Sequence, residues 1–285
     1  MGVDKNASDR KGKSVEPSKQ RRGQQKRVMA VQNLYDTCRE VFANCGPDIV
    51  PSPENVERVK AILGRLIDID DRVGEIVTYK MSAMDVGLRP TMPYFKPTMP
   101  YFKPTGNDGP PEITYMRIHE CDKFSIGIFC LPPKGVIPLH NHPGMTVFSK
   151  ILFGKMHVQS YDWVDVGPSD KPLNAGNPDG VRLAKVKVNS EFSAPCETNL
   201  LYPNECNMHC FRALTACAFL DVLVPPYNDL EGRHCQYYSD YPFAHFSGPE
   251  VAEDQKESYV WLKEREMPDD LKFVGALYNG PKLVK

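Results

Sequence analysis

From about residue 113 the chain breaks into short apolar segments separated by Gly, Pro and Asn. They are Ser125–Leu131, Thr146–Phe153, His157–Trp163, Val181–Val188, Asn199–Tyr202 and Cys210–Val224. Most are too short for a buried helix, they are rich in β-branched and aromatic residues, and turn formers bound them, so they read as strands. Many short strands in succession point to a mainly β fold, an antiparallel sandwich or barrel. Upstream the period changes. Val31, Leu34, Cys38, Val41 and Phe42 recur at helical spacing, which predicts an amphipathic helix over about 29–44. Ser52 then offers an N-cap, with Pro53 and Glu54 in the first turn and Val56, Val59, Ile62, Leu63 and Leu66 on one face. The expected organisation is one domain over 28–285, with N-terminal helices at about 29–68 and a barrel at about 113–250.

Three stretches stand outside that pattern. Residues 1–27 carry nine Lys and Arg against three Asp and Glu and almost no large apolar side chains, so they are expected to be a disordered basic tail. Arg21-Arg22 and Lys26-Arg27 fit either nuclear import, weak contact with polyanions, or a merely solvating tail. Residues 98–104 repeat residues 91–97, Thr-Met-Pro-Tyr-Phe-Lys-Pro, a two-proline unit that reads as an extended loop with a local duplication. Val166–Gly180 is polar and reads as a long surface loop. Over the whole chain the net charge is −1, which advertises neither nucleic acid nor membrane binding. No apolar run is long enough to span a bilayer, and no signal peptide is evident. The nine cysteines form no Cys-x-x-Cys pair, which suits free thiols in a reducing compartment. Met1-Gly2 is not read as a myristoylation site, because position 6 is Asn6.

Chemistry is proposed most sharply by His140-Asn141-His142-Pro143-Gly144. Two histidines one residue apart on extended backbone point to the same side, a spacing able to chelate a metal. A third ligand must come from elsewhere. His209 is the leading candidate, because Asn207-Met208-His209 runs into a strand much as the first pair does; His157, inside a strand of its own, is the other.

A metal held by histidines in a β-barrel resembles the cupins, the double-stranded β-helix or jelly-roll barrels. Their first motif usually adds a carboxylate shortly after His-x-His. Here no Asp or Glu stands between Pro143 and Gly154. Three neutral imidazoles would leave the full charge on a divalent metal and favour an anionic ligand such as a thiolate. A carboxylate in place of one imidazole would oppose that thiolate by about 4 kcal/mol at about 4 Å and an effective dielectric of about 20. The charge balance therefore argues for a thiol substrate, with oxygen added stepwise to sulfur.

Several separated motifs resemble the plant cysteine oxidases, which are similar to the animal 2-aminoethanethiol dioxygenase. They are His140-Asn141-His142-Pro143-Gly144-Met145-Thr146-Val147, Ser160-Tyr161-Asp162-Trp163, Asn207-Met208-His209-Cys210-Phe211, Asp221-Val222, Pro225-Pro226-Tyr227 and Gly232-Arg233-His234-Cys235. The resemblance covers about residues 28–250, and the duplicated loop departs from it. It implies a cupin barrel with one non-haem Fe(II) on His140, His142 and His209, with O2 as co-substrate. It implies oxidation of the N-terminal cysteine of target proteins, the ethylene-response transcription factors, to the sulfinic acid. Products would enter the arginine N-degron pathway, making the enzyme an oxygen sensor in the hypoxia response. The expected setting is nucleus and cytoplasm, as a monomer, with no membrane or direct nucleic-acid partner. Asp221 and Tyr227 match polar residues near the iron that bear on activity.

The residues themselves leave alternatives. Asp221 is an acid in an apolar strand and needs a partner or a function. It could take the substrate amine, orient a ligand imidazole, or make a structural hydrogen bond. Tyr227 could donate to bound oxygen or sulfur, or simply pack beneath Pro225-Pro226. For the whole chain, a small-thiol dioxygenase acting on cysteamine or free cysteine, or a non-catalytic metal-binding cupin, stand as the other readings.

Overall fold

The computed structural model describes residues 19–64, 66–70, 75–79, 83, 86, 88, 110–164, 180–246 and 252–285. The first 18 residues, the duplicated unit at 91–104 and nearly all of the 166–180 loop lie outside them.

Two helices come first, α1 (Lys19–Val41) and α2 (Pro53–Gly64), then a hairpin of β1 (Leu66–Asp70) and β2 (Glu75–Tyr79). The strands that build the site are β3 (Glu112–Glu120), β4 (Ser125–Leu131), β5 (Val136–His140), β6 (Thr146–Phe153), β7 (Lys155–Trp163), β8 (Val181–Ser193), β9 (Asn199–Leu201), β10 (Met208–Ala213), β11 (Cys217–Val224), β12 (Tyr237–Pro242), β13 (Tyr259–Arg265) and β14 (Lys272–Ala276). One sheet runs β14-β3-β4-β11-β6-β9; a second closes on itself in the order β10-β5-β12-β13-β8-β7. Pairing is antiparallel except between β14 and β3.

The mainly β barrel with N-terminal helices is as expected, with four differences. Helix α1 begins at Lys19, inside the segment expected to be disordered: Lys, Arg and Gln are good helix formers and extend a helix nucleated by the apolar face behind them. Helix α2 stops at Gly64, and Leu66–Asp70 is strand, where Ile67 and Ile69 alternate with Asp68 and Asp70. The expected single segment Cys210–Val224 is two strands, β10 and β11. Finally, the sheets continue past residue 250 into β13 and β14.

Alternation along β11 shows how the layers are divided. Ala218, Leu220, Val222 and Val224 face the helices, joining Val31, Leu34, Phe42, Val59 and Leu63 in one apolar core. Phe219 faces the other way, into a core with Ile113, Ile137, Val158 and Phe211. Period-two geometry puts Asp221 on that second, barrel-facing side. The Ser52 hydroxyl accepts from the Asn55 amide at 3.3 Å, the N-cap expected for α2.

Candidate metal centre

His140 ends β5 and lies directly opposite His209 on β10. His142 lies just beyond the strand, so its backbone needs other partners. Asn207 supplies them: its side-chain carbonyl accepts from the His142 amide at 2.8 Å, and its Nδ2 donates to the His142 carbonyl at 2.7 Å. One asparagine thus extends the ladder past the end of β5. Asn141 is held similarly by Gln236, which donates to its Oδ1 at 2.9 Å and accepts from its amide at 3.1 Å. Gly144 closes the turn with φ +67°, a conformation that costs glycine least, and the Met145 amide returns to the His142 carbonyl.

These restraints converge three imidazoles. One ring nitrogen from each of His140, His142 and His209 lies within 4.8 Å of the others. Ring centroids are 4.6 to 5.0 Å apart. All three side chains are buried. Burial lowers the His140 pKa to about 4 and pushes His142 and His209 well below the usual histidine range, with neighbouring imidazoles adding to the effect on those two. The rings are therefore neutral near pH 7.

Hydrogen bonding assigns two tautomers. His140 Nδ1 lies 2.8 Å from the Pro138 carbonyl, which can only accept, so Nδ1 carries the proton and Nε2 a lone pair. Tyr227 spends its proton on the Asn141 carbonyl at 2.8 Å and therefore accepts from His142 Nδ1–H at 2.9 Å. That leaves His142 Nε2 with a lone pair, 3.3 Å from His209 Nε2. Buried lone pairs converging without a carboxylate among them fit a divalent cation that accepts imidazole nitrogen. Oriented outer hydrogen bonds are the usual companions of such ligands.

The sequence candidates now have places. His140, His142 and His209 come together. His157 faces away from the barrel core, since its neighbours Met156 and Val158 fill that core. Tyr227 orients His142. Asp221 bonds Ser149 and none of the three imidazoles; its Oδ1 has no hydrogen-bond partner among the described residues. This removes imidazole orientation from its possible roles. His209 Nδ1 also lacks a partner there.

Beside the imidazoles is a cavity of about 290 Å³, lined by Asp221, Tyr227 and an apolar set that includes Phe129, Phe211 and Phe219. Rings run in contact from His209 to Phe211, Phe219, Phe129 and Tyr115. Cys235 and Tyr237 also line it, and the Cys235 thiol hydrogen-bonds both Tyr227 and Tyr237. Sequence reasoning singled out neither as a site residue. The signal for Cys235 lay in the Gly232–Cys235 motif; Tyr237 had none, since only its pairing with His140 brings it to the site. Burial is the main reason that the Asp221 carboxyl is pushed up to about 7, the Ser149 hydrogen bond opposing it.

The chain is 50% identical over 268 residues to plant cysteine oxidase 2 of Arabidopsis thaliana, covering 93% of this chain and 87% of that one. It is 33% identical over 189 residues to 2-aminoethanethiol dioxygenase of Homo sapiens, covering 61% and 69% respectively. Among solved structures, a double-stranded β-helix protein from Klebsiella pneumoniae aligns with a TM-score of 0.28 at 15% identity, over 44% of this chain and 84% of that one. The PCO_ADO family pattern matches residues 77–283, and the chain belongs to that family of thiol dioxygenases.

Proposed function

We propose that this chain is an Fe(II)-dependent dioxygenase that uses O2 to convert the N-terminal cysteine of target proteins to cysteine sulfinic acid. The observation that carries the reading is the cluster of three buried, neutral imidazoles, with no carboxylate in the cluster among the described residues. Such a centre keeps its positive charge for a thiolate. An iron held by His140, His142 and His209 would supply the redox chemistry that transfers oxygen to sulfur.

The chain's own residues do the rest. The apolar cavity excludes water around the sulfur. Tyr227 and the Pro138 carbonyl hold His142 and His140 with their Nε2 lone pairs inward. Asp221, which lines the cavity and has one oxygen without a partner among the described residues, is suited to accept from the free α-amine beside the thiol. Cysteine at a chain's N-terminus offers that amine and thiol together. The names of the relatives support the same chemistry.

In this reading the substrates are ethylene-response transcription factors. Oxidation passes them to the arginine N-degron pathway in hypoxia sensing, and the enzyme acts as a monomer in nucleus and cytoplasm. The test is mass spectrometry of a Cys-initiated peptide incubated with iron-loaded protein and O2. The expected product carries two added oxygens, and an N-acetylated peptide reacts poorly. Absence of oxygen incorporation would overturn the proposal, and oxidation of cysteamine without the peptide would move it to the small thiol.

A further inference from the structure

Gly127 sits on β4 directly opposite Asp221 on β11, and Asp221 sits opposite Ser149 on β6. The three form one row across neighbouring strands, on the barrel-facing side. Diagonally from Gly127, on β3, stands Tyr115, whose direct partner is Phe129. A Cβ built on Gly127 would fall 2.5 Å from Tyr115 Cε2 and 2.9 Å from its hydroxyl oxygen. Cβ atoms do not approach side chains that closely, so the phenol occupies space that exists only because residue 127 has no side chain. Backbone geometry does not explain the glycine, because Gly127 is not among the residues of positive φ. Room for Tyr115 does.

The ring is fixed from its other side by Phe129, with centroids 4.9 Å apart. Tyr115 and Asp221 both line the cavity, and one Asp221 oxygen is buried without a hydrogen-bond partner among the described residues. The phenol packs over Gly127, and Gly127 is the residue directly opposite Asp221, so Tyr115 and Asp221 flank the same position on the cavity side.

We infer that Tyr115, seated in the room left by Gly127, is a specificity-determining residue: its ring closes the cavity beside Asp221, admitting thiols with an unsubstituted amine and rejecting those whose amine is acylated. This rests on the reading that Asp221 receives the substrate amine. An ammonium held there meets a carboxylate and an aromatic ring, both of which favour a cation. Acylation removes the charge and adds bulk that must displace the ring.

The experiment compares cysteamine with N-acetylcysteamine, and the Cys-initiated peptide with its N-acetyl form, on iron-loaded protein. Oxidation rates are joined by anaerobic calorimetric titration with both small thiols. Wild type should discriminate strongly in each pair. In Tyr115→Ala the free-to-acetylated ratio of kcat/KM should fall about tenfold or more, and the calorimetric preference for cysteamine should fall with it. Tyr115→Phe should keep the discrimination, since the ring forms the wall. Gly127→Ala should resemble Tyr115→Ala. In the double variant the two losses should not add, because the Ala side chain then has no ring to displace. Unchanged discrimination in Tyr115→Ala, or additive losses in the double variant, would overturn the inference. Should Gly127→Ala fail to fold, Tyr115→Ala decides alone. If wild type oxidises no peptide, the substrate reading fails, while the cysteamine pair still decides the role of Tyr115 by rate and by binding.

Discussion

Asp221→Asn tests what it costs to bury a lone acid in this barrel. Burial between apolar strands moves the carboxyl from 3.8 up to about 7, against the hydrogen bond from Ser149. The folded-state pKa lies above the unfolded one, so the folded chain holds this proton more tightly. The stability linked to it is fully present below about pH 4 and is lost as pH rises to about 7. A gap of that size corresponds to about 4 kcal/mol, or about 1.4 kcal/mol for each pH unit within the window. Asn has nearly the same shape and does not titrate. The stability of Asp221→Asn relative to wild type should therefore rise steadily between about pH 4 and about pH 7, then level off. Urea unfolding of both proteins in chelator, across that range, measures the difference, and subtraction cancels every other titrating group. A difference that stays constant with pH would refute the reasoning, because the acid would then be as well solvated in the fold as out of it.

Three further outcomes are expected. Tyr227→Phe leaves the His142 Nδ1–H without its acceptor and should weaken metal binding about 10–100-fold, read by competition with a chelator; equal affinity would count against the assigned tautomer. His209→Ala should abolish stoichiometric metal binding and thiol oxidation with the far-UV circular dichroism unchanged, and full metal retention would remove His209 from the ligand set. Phe219→Ala, deleting a ring stacked on Phe129 at 5.1 Å and nearly inaccessible to water, should cost about 3–5 kcal/mol in urea unfolding.

Much of this was readable from residue order, because the deciding signals were local. The pairing of His140 with His142 was legible from their spacing, although His142 lies past the end of β5 and is held by Asn207, and Ser125–Leu131 and Thr146–Phe153 match β4 and β6 to the residue. The break between β10 and β11 was hidden because Leu214-Thr215-Ala216 contains no turn former. Strand β13 ends in Lys263-Glu264-Arg265, which masks it as surface chain, and β14 is a short edge strand whose only sheet partner among the described residues is β3. Chemistry that depends on distant pairing was unreadable. The Tyr227 hydroxyl reaches a histidine 85 positions away, and that contact adds a role, orienting a ligand, to the two read for it from residue order, donating to bound oxygen or sulfur and packing beneath Pro225-Pro226. Tyr115 meets Gly127 only because β3 and β4 pair in one register.

That register also limits how β11 can change. Its residues serve two cores by turns, with Ala218, Leu220, Val222 and Val224 against the helices and Phe219 and Asp221 in the barrel. Deleting or inserting a single residue early in the strand would reverse every later side chain, burying an acid under helix α1 and aiming leucine and valine at the imidazoles. Substitution on either face can proceed almost independently, whereas length cannot drift by one. The strand tolerates new spelling far better than a shifted reading frame of its own.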